Sequence, residues 1–585
     1  MRKIFVFCLF LSFFFFLVSC GEGKKVETDQ NGDESSEYFD DEFADETFYP
    51  DEENVSPSTD EDAMEEDNDD EQLEAVEFNT PDTVEGNLEA VIVTKEEFAE
   101  IFSEMAVFHT MTGIFTKVIT VENICAEAIC DDDDPKNDTA KAIKEKIKTL
   151  FGLKYLVIGG DIEVVPSRKV RDKYSNLLAG TFEENFQTDF YFADFSDWDL
   201  NNNGIYAESG DKLAYFANIA VGRIPVSTVE EARRYFEKLI AHNTNYNTAH
   251  AQSALLLANV ATSFSAIDIN AGYYFETDGR TRDIIPFHYN IQKLYTKTTP
   301  SPAGDALALN NDAMKAALEN GVNVVVHNGH GYPTLLSCEQ SNNDNDFTGQ
   351  MAYELTNNTF PFFLSCACQA GQFEAPFTYT TVNDQGEVTY SREFKDDSAG
   401  EKLINAPNGG SIFYLGNTTT GLGLAGGSQF IDEMLRNMFL EPSSPIGDSY
   451  LFAHAALKKN DTFAPPIPLV PAIPVVDESS WKWTKKSVVA LGSPLATFWR
   501  DSIPPMNAFI GVRAKEVVDG HSFDLEIPSE FAGFDLRVYS NGSYFTLEAV
   551  EPGTQTINIK WAGDTIFFAL LKPGYQPFFQ IDCLE

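Results

Sequence analysis

Four residues near the middle of the chain carry side chains able to make and break covalent bonds: His327, His330, Cys366 and Cys368. They sit in two blocks. The first reads Val322-Asn323-Val324-Val325-Val326-His327-Asn328-Gly329-His330-Gly331, and the second Phe360-Pro361-Phe362-Phe363-Leu364-Ser365-Cys366-Ala367-Cys368-Gln369-Ala370-Gly371-Gln372-Phe373. A free thiol with a pKa near ~8.5 is mostly protonated at neutral pH. An imidazole beside it yields the thiolate nucleophile and an imidazolium able to protonate a leaving amine. Cys368 and His330 lie in the glycine-containing turns beyond their hydrophobic runs and fit those two roles. His327 stands before its turn and reads as a structural or pocket-lining histidine, and Cys366 as a small buried residue. The rival assignment is a zinc site built from His327-x₂-His330 and Cys366-x-Cys368. Zinc-ligand spacing leaves the residues around these four unexplained, whereas two catalytic turns account for them.

Both turns need rigid strands to hold them. Short β-branched or aromatic runs closed by glycine turns are typical of central strands in an α/β sheet, whose chemistry collects beyond the carboxyl ends. The same reading places strands over 88–95, 115–121, 154–160, 219–226, 254–258 and 411–415, with helices over 96–112, 139–150, 229–242 and 305–320. Asp138 or Thr139 caps the second helix and Gly152 stops it. Strand and helix alternate at the spacing of a doubly wound α/β fold. An insertion over 376–397 reads as a hairpin turning at Asn383-Asp384-Gln385-Gly386, placed to roof a cleft beside Cys368. From Phe509 onward the pattern becomes all-β, with five or more short strands suited to a small sandwich.

Gly329-His330-Gly331 and Ala367-Cys368, each behind its hydrophobic block, resemble the His-Gly and Ala-Cys blocks of the caspase-like cysteine peptidases. Ala367-Cys368-Gln369-Ala370-Gly371-Gln372-Phe373 is similar to the gingipain family (family C25). So are Gly160-Asp161-Ile162-Glu163-Val164-Val165-Pro166, Gly400-Glu401-Lys402-Leu403-Ile404 and Gly409-Gly410-Ser411-Ile412-Phe413. The resemblance implies a catalytic unit of two α/β subdomains followed by a small immunoglobulin-like β-sandwich. It implies a cysteine endopeptidase acting on protein or peptide substrates through an acyl-enzyme, with no catalytic cofactor. Sortase-like transpeptidation and a catalytically silent surface-binding module are the alternatives on the same fold. By resemblance, the backbone N–H groups of Gly331 and Cys368 hold the oxyanion, and the loop carrying Asn417 and Thr418 lines the specificity pocket. The family also places a carboxylate just after the strand at 255–258, to orient the histidine. Asn259-Val260-Ala261-Thr262 contains none, which leaves a dyad or a contribution from Asp268. Asp268 also falls roughly where Arg-specific relatives read a basic side chain. Arg223, in Gly222-Arg223, reads as a buried structural arginine rather than an anion clamp.

With 585 residues and a net charge of −50, the chain is too long for one core and too acidic to favour nucleic acid. Five regions are expected: a lipoprotein signal peptide (1–20), an acidic disordered tether (21–85), an N-terminal α/β subdomain (86–250), a catalytic α/β subdomain (251–503) and the sandwich (504–585). Arg2 and Lys3 precede an apolar run, and Leu17-Val18-Ser19-Cys20 matches a bacterial lipobox, so Cys20 is the expected lipidation site. A lipid there implies the bacterial cell envelope, on the periplasmic face of the outer membrane or the cell surface. Residues 21–80 hold 25 acidic residues against Lys24 and Lys25, a composition that cannot offset its own ordering entropy. Exported proteins oxidise cysteine pairs, and Cys125-x₄-Cys130 is the favoured bridge, whereas a thiol kept for catalysis must stay unpaired. Asp199-Leu200-Asn201-Asn202-Asn203-Gly204-Ile205-Tyr206-Ala207-Glu208 places oxygen ligands at positions 1, 3 and 5 with glycine at 6. That is the logic of a structural Ca²⁺ loop, with Asp199, Asn201, Asn203, Ile205 (backbone) and Glu208 as ligands. The two asparagines and the early glutamate depart from the EF-hand pattern, and a solvated turn is the alternative.

Overall fold

The computed structural model describes residues 88–583, apart from 177–179, 209, 245–249, 265–266, 339–344, 383–387, 442–443, 458–460, 464–472, 501–510, 518–519, 541–542, 560–564 and 573–577. The signal peptide with Cys20, the acidic tether and the turn of the 376–397 insertion lie outside the described residues.

Eleven strands form one sheet: β1 (Ala90–Thr94), β2 (Thr116–Thr120), β3 (Tyr155–Gly159), β4 (Ala220–Ile224), β5 (Ser253–Ala258), β6 (Asn290–Tyr295), β7 (Leu307–Ala308), β8 (Val324–Asn328), β9 (Phe362–Ser365), β10 (Phe413–Asn417) and β11 (Val488–Gly492). Their order is β7-β6-β5-β8-β9-β10-β11-β4-β3-β1-β2. Every neighbouring pair is parallel except β10 and β11. The sheet is therefore two parallel blocks, β7 to β10 and β11 to β2, whose carboxyl ends face opposite edges. Strands β1, β3, β4, β8, β9, β10 and β11 are buried along their whole length, as strands covered on both faces must be. The mixed α/β class expected from the sequence is the one observed.

Helix α1 (Ala99–Met111), helix α2 (Thr139–Lys148), helix α3 (Val229–Thr244) and helix α4 (Asn311–Glu319) fall close to the expected spans. The Asp138 side chain accepts the Lys141 N–H at the start of α2, as its cap position requires. Helix α4 begins later than the expected 305, because the Asn310 side chain accepts the Ala313 N–H (2.8 Å) and sets the cap there. The residues before it supply edge strand β7 instead. Cys125 and Cys130 are disulfide-bonded. Arg223 is fully buried, paired through two nitrogens with Asp189 (2.7 and 2.8 Å), and donates to the carbonyls of Gly160 and Val165. It is structural: a buried guanidinium stays charged only when its donors are satisfied.

Seven C-terminal strands between Gly511 and Cys583 form antiparallel sheets of three and four strands. A shared core containing Leu525, Ile527, Leu536, Val538, Ile566 and Phe568 joins them. Tyr539 and Ala569 pack with Val107 and Met111 of α1, and the Arg537 guanidinium donates to the Thr110 carbonyl at 2.9 Å.

Candidate active site

Strands β8 and β9 are parallel neighbours whose register pairs His327 with Ser365. His330 and Cys368 each lie three residues past that pair, so both leave the sheet at one edge. The two turns touch. A Cβ on Gly331 would stand 2.9 Å from Ala367 Cβ and 3.2 Å from the Cys368 carbonyl oxygen, a close approach that favours glycine. The Gly331 and Cys368 main chains, assigned to the oxyanion by resemblance, are thus brought together.

Cys368 is buried, and its Sγ lies 3.5 Å from the Gly421 carbonyl oxygen. Gln369 follows with a φ of 57°, a left-handed conformation that non-glycine residues adopt mainly where surrounding structure imposes it. Its N–H donates to the Thr419 carbonyl at 2.8 Å, and the Gly371 N–H to the Asn417 carbonyl at 3.0 Å, so the loop after β10 fixes the turn. Contrary to the sequence-based expectation of an unpaired thiol, the Cys368 sulfur belongs to a disulfide; its partner is not among the described side chains. Nucleophilic chemistry requires the reduced form, because only a thiolate can attack.

His330 is partly buried. Its ring hydrogen-bonds the Val260 backbone, and burial lowers its pKa from the ordinary histidine value while that bond opposes the shift. A bond that favours the protonated ring is accepted by the carbonyl. The orienting acceptor left open by the sequence is therefore a main-chain carbonyl. Asp268 stands exposed on the hairpin that Val260 opens, opposite Ser263.

The remaining members of the four-residue set turn inward. His327 Nδ1 bonds Ser365 Oγ at 2.9 Å, and burial lowers its pKa to about 3. Cys366 Sγ donates to the His327 carbonyl at 3.5 Å, and burial pushes its thiol up to about 12. Among the described residues no group of three or more His, Cys, Asp or Glu side chains is placed to hold a metal ion. The zinc arrangement is not formed, since His327 and Cys366 are committed to the strand ends.

Asn417 and Thr418, expected by resemblance to line the specificity pocket, make their bonds inside the protein. Both are buried. The Asn417 Nδ2 donates to the Ala367 carbonyl (3.0 Å) and its Oδ1 accepts from Ser487 Oγ (3.1 Å), while Thr418 Oγ1 donates to the Gln187 carbonyl (2.7 Å). Asn417 thus holds the cysteine turn from behind, and Thr418 ties its loop to the end of the Gly180–Thr188 strand.

A hairpin absent from the sequence reading completes the surroundings: Arg168–Asn176 paired with Gly180–Thr188. Its Glu184 accepts from Thr420 N–H (3.2 Å), Thr420 Oγ1 (2.6 Å) and Thr419 Oγ1. Lys169 pairs with Glu374 at 2.7 Å, so the hairpin grips both loops flanking Cys368. Val170, Tyr174 and Phe186, apolar among charges and buried, were the available signal.

In the candidate Ca²⁺ loop, Asp199 accepts the N–H groups of Asn203 (2.8 Å) and Gly204 (3.0 Å), and the Asn203 Oδ1 accepts the Ile205 N–H (2.7 Å). The amide nitrogens of Asn201 and Asn203 converge on Glu208 at 3.1 and 2.7 Å. The side chains gather around one carboxylate, but their oxygens are bonded to the loop's own donors.

Two solved structures share this fold. The complex of the pro- and mature domains of RgpB from Porphyromonas gingivalis matches with a TM-score of 0.52 at 14% identity, over 85% of this chain and 100% of that one. The Arg-specific cysteine proteinase gingipain R (RgpB) matches with the same TM-score and identity, over 86% of this chain and 100% of that one. No curated protein sequence matches. The model of Peptidase family C25 matches residues 83–499, which include the turns bearing His330 and Cys368, the strands behind them and the hairpin beside them, and on that extent the chain belongs to family C25 and is a cysteine-type peptidase.

Proposed function

We propose that this peptidase is an exported endopeptidase, lipid-anchored through Cys20, that hydrolyses peptide bonds with reduced Cys368 as nucleophile and His330 as general acid/base. The observation that carries it is the equal three-residue offset of His330 and Cys368 from the paired residues His327 and Ser365, which puts both at one sheet edge. His330 takes the thiol proton, the thiolate attacks the scissile carbonyl, and an acyl-enzyme forms as the imidazolium protonates the leaving amine. Water then resolves the thioester with His330 as base. The main-chain N–H groups of Gly331 and Cys368 are the proposed oxyanion donors; each such donor is worth about 10²–10³ in rate.

The test is cleavage of a peptide library by the reduced enzyme and by Cys368→Ala and His330→Ala. Hydrolysis lost in both supports the reading. Products joined to an added amine instead of water would indicate transpeptidation, and a reduced wild type that cleaves nothing while binding peptides would indicate a silent binding module. A basic preference on the acyl side would rest on Asp268. An unchanged Arg-over-Leu ratio in Asp268→Asn removes that residue from the site.

The proposal places the protein in the bacterial envelope, with the acidic 21–85 segment as spacer, and includes a structural Ca²⁺ held by Asp199, Asn201, Asn203, Ile205 and Glu208. Nucleic acid has no part in it, given the charge.

A further inference from the structure

Asn259 follows β5 directly, and this residue is bound on every side. It is fully buried. Its Oδ1 accepts the Val260 N–H at 2.6 Å and Thr296 Oγ1 at 3.0 Å, and its Nδ2 donates to the Ser337 carbonyl at 3.1 Å. Its own N–H donates to the Asn328 carbonyl (3.0 Å), and its carbonyl accepts the Ala271 N–H (2.8 Å). Asn259 thereby ties the end of β5 to the end of β8, which leads into His330, and to Ser337, whose N–H holds the His330 carbonyl at 3.0 Å.

We propose that Asn259 is a positioning residue for His330: it fixes the Asn259–Val260 peptide, and with it the point from which Val260 presents its carbonyl to the imidazole, so that the ring keeps one orientation and one tautomer. The side chain itself does not supply the acceptor; it holds the Asn259–Val260 peptide plane, one residue before the Val260 carbonyl. A side-chain oxygen bonded to the following N–H is a local turn that competes with strand geometry, and here it breaks the chain out of β5 at the histidine. One ring nitrogen donates to Val260, and in the proposed mechanism the other exchanges the Cys368 proton. A main-chain carbonyl holds the ring without adding a negative charge, so the imidazolium gains less stabilisation than beside a carboxylate. Among the described residues, His327 on the preceding strand acts electrostatically on this ring; Cys368, titratable once reduced, is on the adjoining turn, and Asp268 is on the hairpin that Val260 opens.

This inference rests on His330 acting as the base, and the experiment separates the two. Exchange of the His330 C2 proton, followed by mass spectrometry against pH in the reduced full chain, reads its pKa without any turnover. Wild type should titrate below the ordinary value. Asn259→Ala should titrate lower still, having lost the fixed acceptor, and Asn259→Asp higher, having gained a nearby carboxylate. In parallel, kcat of Asn259→Ala should fall about 10- to 100-fold with KM within about two-fold, the signature of a mispositioned base. Where Asn259→Ala does not fold, Asn259→Ser retains an acceptor for the Val260 N–H and should show the same downward shift in smaller measure. A folded variant whose His330 titration matches wild type overturns the inference. Shifted titrations in a protein without peptidase activity would support it and instead refute the catalytic reading.

Discussion

Replacing Glu184 with alanine should damage catalysis more than stability. Its carboxylate accepts from the Thr420 N–H, from Thr420 Oγ1 and from Thr419 Oγ1, and both threonines are buried. A hydrogen bond to a buried charged group contributes about 1.5–3 kcal/mol. Glu184 keeps part of its surface in solvent, so water replaces some of what is lost, and the net cost should be about 1–3 kcal/mol after that discount. The catalytic cost is larger because of where these threonines sit. The Thr419 carbonyl holds the Gln369 N–H (2.8 Å), the Thr420 carbonyl holds Trp483 Nε1 (2.7 Å), and the next carbonyl, of Gly421, lies 3.5 Å from Cys368 Sγ. Loosening this segment moves the nucleophile, and a displacement of about 1 Å costs about 10²-fold in rate. The assay is kcat and KM of the reduced enzyme beside its thermal midpoint, for Glu184→Ala and Glu184→Gln. Alanine should lower kcat about 10- to 100-fold with a small loss of midpoint, and glutamine should fall between. A destabilised Glu184→Ala with unchanged kcat and KM would show that the hairpin only props the fold.

Cys366→Ala should leave kcat within about two-fold and cost about 1 kcal/mol of packing, since its thiol faces the His327 carbonyl and its side chain abuts Gly427; equal inactivation by Cys366→Ala and Cys368→Ala would reject the nucleophile assignment. EDTA should lower the melting temperature and Ca²⁺ restore it, with Asp199→Ala insensitive to both; no shift on chelation makes 199–208 an ordinary turn. Metabolic labelling with a fatty-acid analogue should tag the protein through Cys20, and a tag that survives Cys20→Ser places the anchor elsewhere.

The meeting of the His330 and Cys368 turns at one sheet edge was legible in the sequence because glycine, histidine and cysteine stand directly behind continuous apolar runs, and parallel register does the rest. Two features were not. Strand β11 is a short apolar run, Val488-Val489-Ala490-Leu491, with nothing local to say that it pairs antiparallel to β10 and fuses two blocks into one sheet. The acceptor for His330 belongs to the Val260 main chain, and a search for carboxylates cannot find a carbonyl that every residue type carries. The inward bonding of Asn417 and Thr418 was hidden for a related reason. Their loop does lie at the active edge, but polar side chains in a buried loop are drawn to backbone groups left unpaired by the strand ends. The late start of α4 shows the usual competition at a helix end, where Asn310 caps more strongly than the preceding residues propagate.

The central claim is that His330 activates the Cys368 thiol. Its most direct measurement is the rate of iodoacetamide alkylation at Cys368 in the reduced protein as a function of pH, with the modified peptide identified by mass spectrometry. Rapid modification of Cys368 near neutral pH, slowed and displaced toward higher pH in His330→Ala, is the predicted result, because the imidazolium stabilises the thiolate. Alkylation of Cys368 with the same rate and pH dependence in wild type and His330→Ala would contradict the account.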